Sequence, residues 1–229
     1  MKLLMLPGLN GTSALFEPLL PYLDDRLEVD CLALPDSGPQ DHESLARRLA
    51  PRLRAIEAPF VLLGESFSGP LAYRLAQDRP RGLRGVIFAA AFLGCPHPLL
   101  SLLPLRLLPL PQRLLTLPSL LKLFCLGSQA DPALIERLRQ EIQAIPTALL
   151  RARLLGLSQP QVPLQPLELP ALHLLPLQDR LVMPRASARL EQHCRQLQQV
   201  AIAGPHFLLQ RQPQACAQAI ERFIADLPR

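Results

Sequence analysis

Short, continuously apolar runs alternate along this chain with longer helical patterns, and that alternation restricts the fold more than any other feature. The runs are Lys2 to Leu6, Leu27 to Leu34, Phe60 to Leu63, Leu83 to Ala90, Ala171 to Leu175 and Gln198 to Ala203. A strand with one face in water alternates polar and apolar residues, whereas a strand covered on both faces does not, and several of these runs do not. Helical patterning falls between them at Ser13 to Tyr22, Asp41 to Glu57, Ser66 to Asp78, Pro184 to Cys194 and Pro213 to Leu227. The expected fold class is therefore α/β, with a mostly parallel central sheet of about six strands and helices on both faces. At 229 residues, 49% of them hydrophobic, the chain has the length and apolar content for one sizeable core.

One segment breaks the rhythm. From Phe92 to about Glu168 no strand pattern occurs; the first half is rich in leucine and proline, and the second contains "ADPALIERLRQEIQAIP". There Asp131 can cap a helix starting at Pro132, with Leu134, Ile135, Leu138, Ile142 and Ile145 on one face. The expected organisation is a core built from residues 1–91 and 169–229 and a helical insertion over 92–168. The leucine- and proline-rich half reads equally as several short helices or as an ordered loop.

Composition removes several classes of function. The formal net charge is +5, but the arginines are scattered singly or in pairs, whereas a nucleic-acid face clusters its charge. Aromatic residues are only 4%, too few for stacking platforms, so no nucleic-acid partner is expected. Cys31, Cys95, Cys125, Cys194 and Cys216 are widely spaced without a CxxC, which predicts neither disulfides nor a metal site and suits a reducing, cytoplasmic location. The opening "MKLLMLPGLNG" is broken by Pro7 and Gly8 too early for an export signal. Pro98 to Leu126 is interrupted by Arg106, Arg113, Lys122 and prolines, so no transmembrane segment is expected.

The stretch that points to chemistry is "VLLGESFSGPLA", Val61 to Ala72, where an apolar run gives way to a helix. A serine nucleophile must project from the backbone, and a sharp strand-to-helix turn achieves this only if the residues two before and two after it are small. Around Ser66 these are Gly64 and Ser68; around Ser68 they would be Ser66 and the bulkier Pro70. Ser66 is the candidate nucleophile, and Glu65 beside it a candidate for shaping the turn. The glycine-containing loop after the first apolar run, "LPGLNGT", can aim the Leu9 N–H at a developing oxyanion, with the N–H of Phe67 as its partner. Asp179 follows the fifth run and can orient a histidine. His206 follows the last run; His173 lies inside a run and reads as a core residue, His193 on a helix, and His42 and His97 in other loops.

Together "LPGLNGT", "GESFSG", "QDRLV" and "GPHF" resemble the α/β-hydrolase fold superfamily over essentially the whole chain, Lys2 to Leu227. The resemblance implies Ser66 as nucleophile, His206 as general base then acid, Asp179 as orienting acid, and the Leu9 and Phe67 N–H groups as oxyanion hole. It also places the 92–168 insertion where such proteins carry a cap. Two departures stand out: Ser68 occupies the second glycine of the GxSxG turn, and Pro7 opens a loop that begins with histidine in many members. The family's first two strands have no counterpart, which implies a smaller sheet. The implied function is hydrolysis of a small-molecule carboxylic ester or thioester with an apolar acyl or alcohol part, with no cofactor and no metal. Acyl transfer or carbon–carbon cleavage by the same serine, and a noncatalytic ligand-binding protein of this fold, remain open at this level.

Overall fold

The computed structural model describes residues 1–102, 112–158 and 165–228; parts of the expected insertion, 103–111 and 159–164, lie outside them. Six strands form one sheet: β1 (Lys2–Leu6), β2 (Glu28–Cys31), β3 (Phe60–Glu65), β4 (Leu83–Ala89), β5 (Leu167–Pro176) and β6 (Cys194–Ile202). Their order is β2-β1-β3-β4-β5-β6, and every neighbouring pair is parallel. Every residue of β3 is buried, as its unbroken apolar run requires.

Side chains alternate across the sheet, so each strand feeds two cores. Leu4, Leu6, Leu62 and Phe88 pack under helices α1 (His42–Arg54) and α2 (Ser68–Gln77). Leu3, Met5, Val61, Leu63 and Ile87 pack on the other face, against Phe223 and Ile220 of the C-terminal helix. Asp41 starts α1 by accepting the Ser44 N–H at 2.9 Å. Between β4 and β5 the described chain is helical. Short helices at Pro98–Leu102, Gln112–Leu115 and Pro118–Leu120 lead into a π-helical turn, Leu121–Leu126. Two longer helices follow, α3 (Pro132–Ala144) and α4 (Thr147–Ser158). Asp131 caps α3, accepting the Ala133 N–H at 2.9 Å.

Several boundaries differ from the sequence expectation, each for a local reason. The expected helix Ser13 to Tyr22 is two short 3-10 turns, Ser13–Phe16 and Leu20–Tyr22, because Pro18 and Pro21 have no N–H to give. Helix Pro184 to Cys194 divides into Pro184–Ser187 and Arg189–His193, and Cys194 already belongs to β6. That strand starts ahead of Gln198 because it is an edge, and its polar Arg195 and Gln196 stand in water. β5 starts at Leu167, ahead of Ala171, and Pro170 sits at a register irregularity between Leu167 and Pro170, where a missing N–H is tolerated. The opposite edge, β2, is shorter than the Leu27 to Leu34 run. Ile145, expected on the face of α3, is instead the extended residue beyond its end, as the following Pro146 favours. The final helix, α5, spans Pro213–Ala225.

The chain runs from β1 to one edge at β2 and then returns to β3 on the other side of β1. Connections leaving β1 and β3 therefore diverge, and a crevice opens at their carboxyl ends, the position at which open α/β sheets bind ligands. Among the described residues no helix is long and apolar enough to cross a membrane.

Candidate active site

The turn after β3 is built for projection. Ser66 has φ +47°, a left-handed conformation uncommon outside glycine, and its N–H is held by the Ala89 carbonyl at 2.9 Å. A Cβ on Gly64 would stand 2.5 Å from the Ser68 carbonyl oxygen and 2.7 Å from the Ala72 Cβ, so only glycine fits there. A Cβ on Gly69 would lie 2.5 Å from that of Ala91. The close approach after the serine thus falls at Gly69, and position 68 has room for a hydroxyl. Ser68 is fully buried and its Oγ–H donates to the Pro7 carbonyl at 2.5 Å, tying the turn to the loop after β1. Ser66 is partly exposed and lines a cleft of about 420 Å³.

Asp179 lies just beyond β5 and His206 just beyond β6, and backbone bonds between the two loops, Leu177 N–H to Ile202 O at 3.0 Å and Gln178 N–H to Gly204 O at 2.9 Å, hold them in register. His206 Nδ1 lies 2.7 Å from Asp179 Oδ2, and His206 Nε2 lies 2.8 Å from Ser66 Oγ. A carboxylate can only accept, which assigns the ring proton to Nδ1 and leaves Nε2 to accept the Ser66 hydroxyl proton. The other Asp179 oxygen, Oδ1, accepts the N–H groups of Leu181 at 2.8 Å and Val182 at 2.9 Å. Burial by itself would raise the Asp179 pKa, but the facing His206 and those two N–H groups hold the carboxyl below its ordinary value. A serine hydroxyl in line with a basic nitrogen, itself in line with an ionised carboxylate, is an arrangement that can make an alkoxide-like nucleophile on demand.

Leu9 and Phe67 both line this cleft, and the loop carrying Leu9 is restrained from several directions. Glu65 Oε1 accepts Gln210 Nε2–H at 2.8 Å and its carboxyl accepts the Gly8 N–H; burial raises its pKa, and these contacts and His206 oppose that. Arg153, on α4 and only 1% exposed, donates from Nη1 to Leu9 O at 2.7 Å, from Nη2 to Pro35 O at 3.2 Å and from Nε to Gln40 Oε1 at 3.1 Å. Glu141 on α3 accepts Thr12 Oγ1–H at 2.7 Å and Asn10 Nδ2–H at 3.1 Å. Behind the turn, His42 in the first turn of α1 meets the Phe67 carbonyl through Nε2 at 2.9 Å. Burial pushes its pKa down to about 4, so the ring is neutral and donates that bond.

Sequence reasoning did not find Arg153, Glu141, Gln40 or Gln210, and it left His42 in a loop. One signal was available for Arg153: in "LLRARLLGL" two arginines, Arg151 and Arg153, sit on a helix whose other residues are nearly all apolar. His173 is fully buried in β5, and His193 ends its short helix with Nδ1 against Arg189 O. Neither His42, His97, His173 nor His193 joins Ser66. Apolar walls face the serine, including Leu121 and Phe124 of the π-helical turn, Leu138 and Ile142 of α3, and Leu150 and Leu154 of α4. Among the described residues no group of His, Cys, Asp and Glu is arranged to hold a metal ion.

A family model described as the alpha/beta hydrolase family matches residues 3–219. The chain belongs to this family. Solved structures agree on the fold of this α/β hydrolase. A thermophilic esterase from Thermogutta terrifontis superposes with a TM-score of 0.80 at 22% identity, over 98% of this chain and 89% of the esterase. A type II thioesterase of the yersiniabactin biosynthetic pathway superposes with a TM-score of 0.72 at 22% identity, over 98% and 92%. A hydrolase from Oleispira antarctica gives 0.78 at 15% identity, over 98% and 91%. A comparison with curated proteins finds no match.

Proposed function

We propose that this α/β hydrolase cleaves a carboxylic ester or thioester carrying an apolar acyl or alcohol part, through an acyl-Ser66 intermediate. The observation that carries the reading is the unbroken chain of contacts from Asp179 through His206 to Ser66, 2.7 and 2.8 Å long, ending in an apolar cleft. His206 Nε2 takes the Ser66 proton as Oγ attacks the carbonyl carbon. Negative charge on the carbonyl oxygen is met by the N–H groups of Leu9 and Phe67. His206 then protonates the leaving alcohol or thiol, activates water against the acyl-enzyme, and returns the proton to Ser66; Asp179 stays ionised throughout. The helical segment between β4 and β5 serves as the cap whose leucines receive the apolar part. An esterase and a thioesterase among the structural relatives suit the same substrate class. Five cysteines, none of them in a disulfide, suit action in a reducing cytoplasm.

The test is labelling of the purified protein with a fluorophosphonate serine probe, wild type beside Ser66→Ala and Ser68→Ala, with peptide mapping and turnover of a graded series of esters. Labelling and turnover should vanish in Ser66→Ala, with a loss on the order of 10⁴ or more in kcat, and persist in Ser68→Ala. Folded wild-type protein that takes no label, or label that survives Ser66→Ala, would transfer the site to ligand binding without chemistry.

A further inference from the structure

A second cavity, of about 630 Å³, opens beside the cleft and differs from it in chemistry. Lys122, Arg180 and Arg211 line it, and no aspartate or glutamate does among the described residues. Among the described residues none of these cations has a carboxylate partner there: Arg180 reaches the Leu123 carbonyl at 3.4 Å, and Arg211 Nη2 the Gln129 carbonyl at 2.9 Å. The Arg211 Nε is buried and has no hydrogen-bond partner among the described residues. Unneutralised cations around one concavity repel each other and set up a field that an anion relieves, and guanidinium groups fit the paired oxygens of phosphate and carboxylate.

The cavity's position says which part of a substrate would reach it. Arg180 lines both cavities. The π-helical turn divides them, with Leu121, Phe124 and Cys125 lining the cleft and Lys122, Leu123 and Leu126 the basic cavity. Gly204 and Pro205, just ahead of His206, and Gln178, just ahead of Asp179, complete the basic wall. In the acyl-serine reading, on which this inference rests, His206 hands its proton to the departing group, so that group leaves on the His206 side. We infer that the cavity holding Lys122, Arg180 and Arg211 is a subsite for a phosphate or carboxylate carried on the leaving alcohol or thiol, while the acyl chain occupies the apolar cleft.

The test uses esters that share one acyl group and differ in the far end of a leaving alcohol of constant length: neutral, carboxylate or phosphate. The wild type should prefer at least one anionic ester in kcat/KM by about tenfold or more, chiefly through KM, and the preference should shrink as salt is raised. Lys122→Gln/Arg211→Gln should lose most of that preference. Which anion gains more identifies the group. Calorimetric titration of the Ser66→Ala protein with inorganic pyrophosphate reads the site without turnover, and binding there should be lost when Lys122→Gln and Arg211→Gln are added. Equal kcat/KM for all three esters overturns the subsite while leaving ester hydrolysis intact, even if pyrophosphate binds, because the anion would then be a free effector. Pyrophosphate binding in a protein that hydrolyses no ester overturns both the leaving-group assignment and the hydrolase reading. Turnover with anionic preference that survives Lys122→Gln/Arg211→Gln overturns the residue assignment.

Discussion

Arg153→Met tests how the loop carrying Leu9 is held. The guanidinium is 1% exposed and donates to three neutral acceptors, the Leu9 and Pro35 carbonyls and Gln40 Oε1. Hydrogen bonds to a charged group contribute about 1.5–3 kcal/mol each, so the three sum to roughly 5–9 kcal/mol. Taking the guanidinium out of water, with Asp36 attracting it through space but no carboxylate hydrogen-bonded to it among the described residues, costs several kcal/mol, which methionine avoids. The difference leaves a net destabilisation of about 2–4 kcal/mol, readable as a lower urea midpoint with unchanged slope. Activity should suffer separately. If the Leu9 N–H serves the oxyanion as proposed, loss of such a donor lowers turnover by about 10²–10³ and a loosened loop approaches that limit, so kcat should fall about 10- to 100-fold. KM should change little, because the oxyanion is bound only in the transition state. Arg153→Lys should recover only part of the loss, since one ammonium cannot span acceptors that a planar fork reaches together. Arg153→Met protein that is folded at the assay temperature and keeps kcat within about twofold of wild type would refute the argument.

Two further outcomes follow from the same geometry. Gly64→Ala places a Cβ 2.5 Å from the Ser68 carbonyl oxygen, and overpacking of this kind should destabilise the fold by about 1–3 kcal/mol and slow probe labelling of Ser66 by at least about tenfold; normal melting and labelling would contradict it. Acid stability carries a sign set by burial: His42 and His173 are held to about 4, below the unfolded value of about 6.5, so the unfolded chain protonates first. Their contribution is complete above about pH 6.5 and is lost as pH falls towards about 4, up to roughly 3 kcal/mol per ring. His42→Gln should flatten part of that slope in urea titrations at stepped pH, and an unchanged slope would count against the assignment.

The interior of the sheet could be read from sequence because burial on both faces writes itself as uninterrupted apolar residues, as in Phe60 to Leu63. The edges could not be read as well. Arg195 and Gln196 in β6 are paired on one side only and face water, so their pattern resembles a loop. The loop addresses of Ser66, Asp179 and His206 were legible because each follows an apolar run; that His206 stands 2.7 Å from Asp179 and 2.8 Å from Ser66 is a property of the assembled sheet. Ser68 illustrates a subtler limit. Sequence reasoning could say that serine is tolerable there, but its bond to the Pro7 carbonyl depends on a loop 61 residues away. Arg153 and Leu9 are separated by 144 positions, and no local pattern encodes such a partner.

That separation also bears on how the protein comes into being. The loop after β1 is synthesised well before the segments that restrain it, because Leu9, Asn10 and Thr12 are held by Glu141 and Arg153. Contacts so distant along the chain form only after the entropy of closing very large loops has been overcome, which places them late in folding. A nascent chain carrying β1 to β4 already holds the serine but lacks Glu141, Arg153, Asp179 and His206. In the proposed mechanism, competence for ester cleavage therefore arrives only with completion of the tertiary structure, and partly made or partly unfolded copies should be inert.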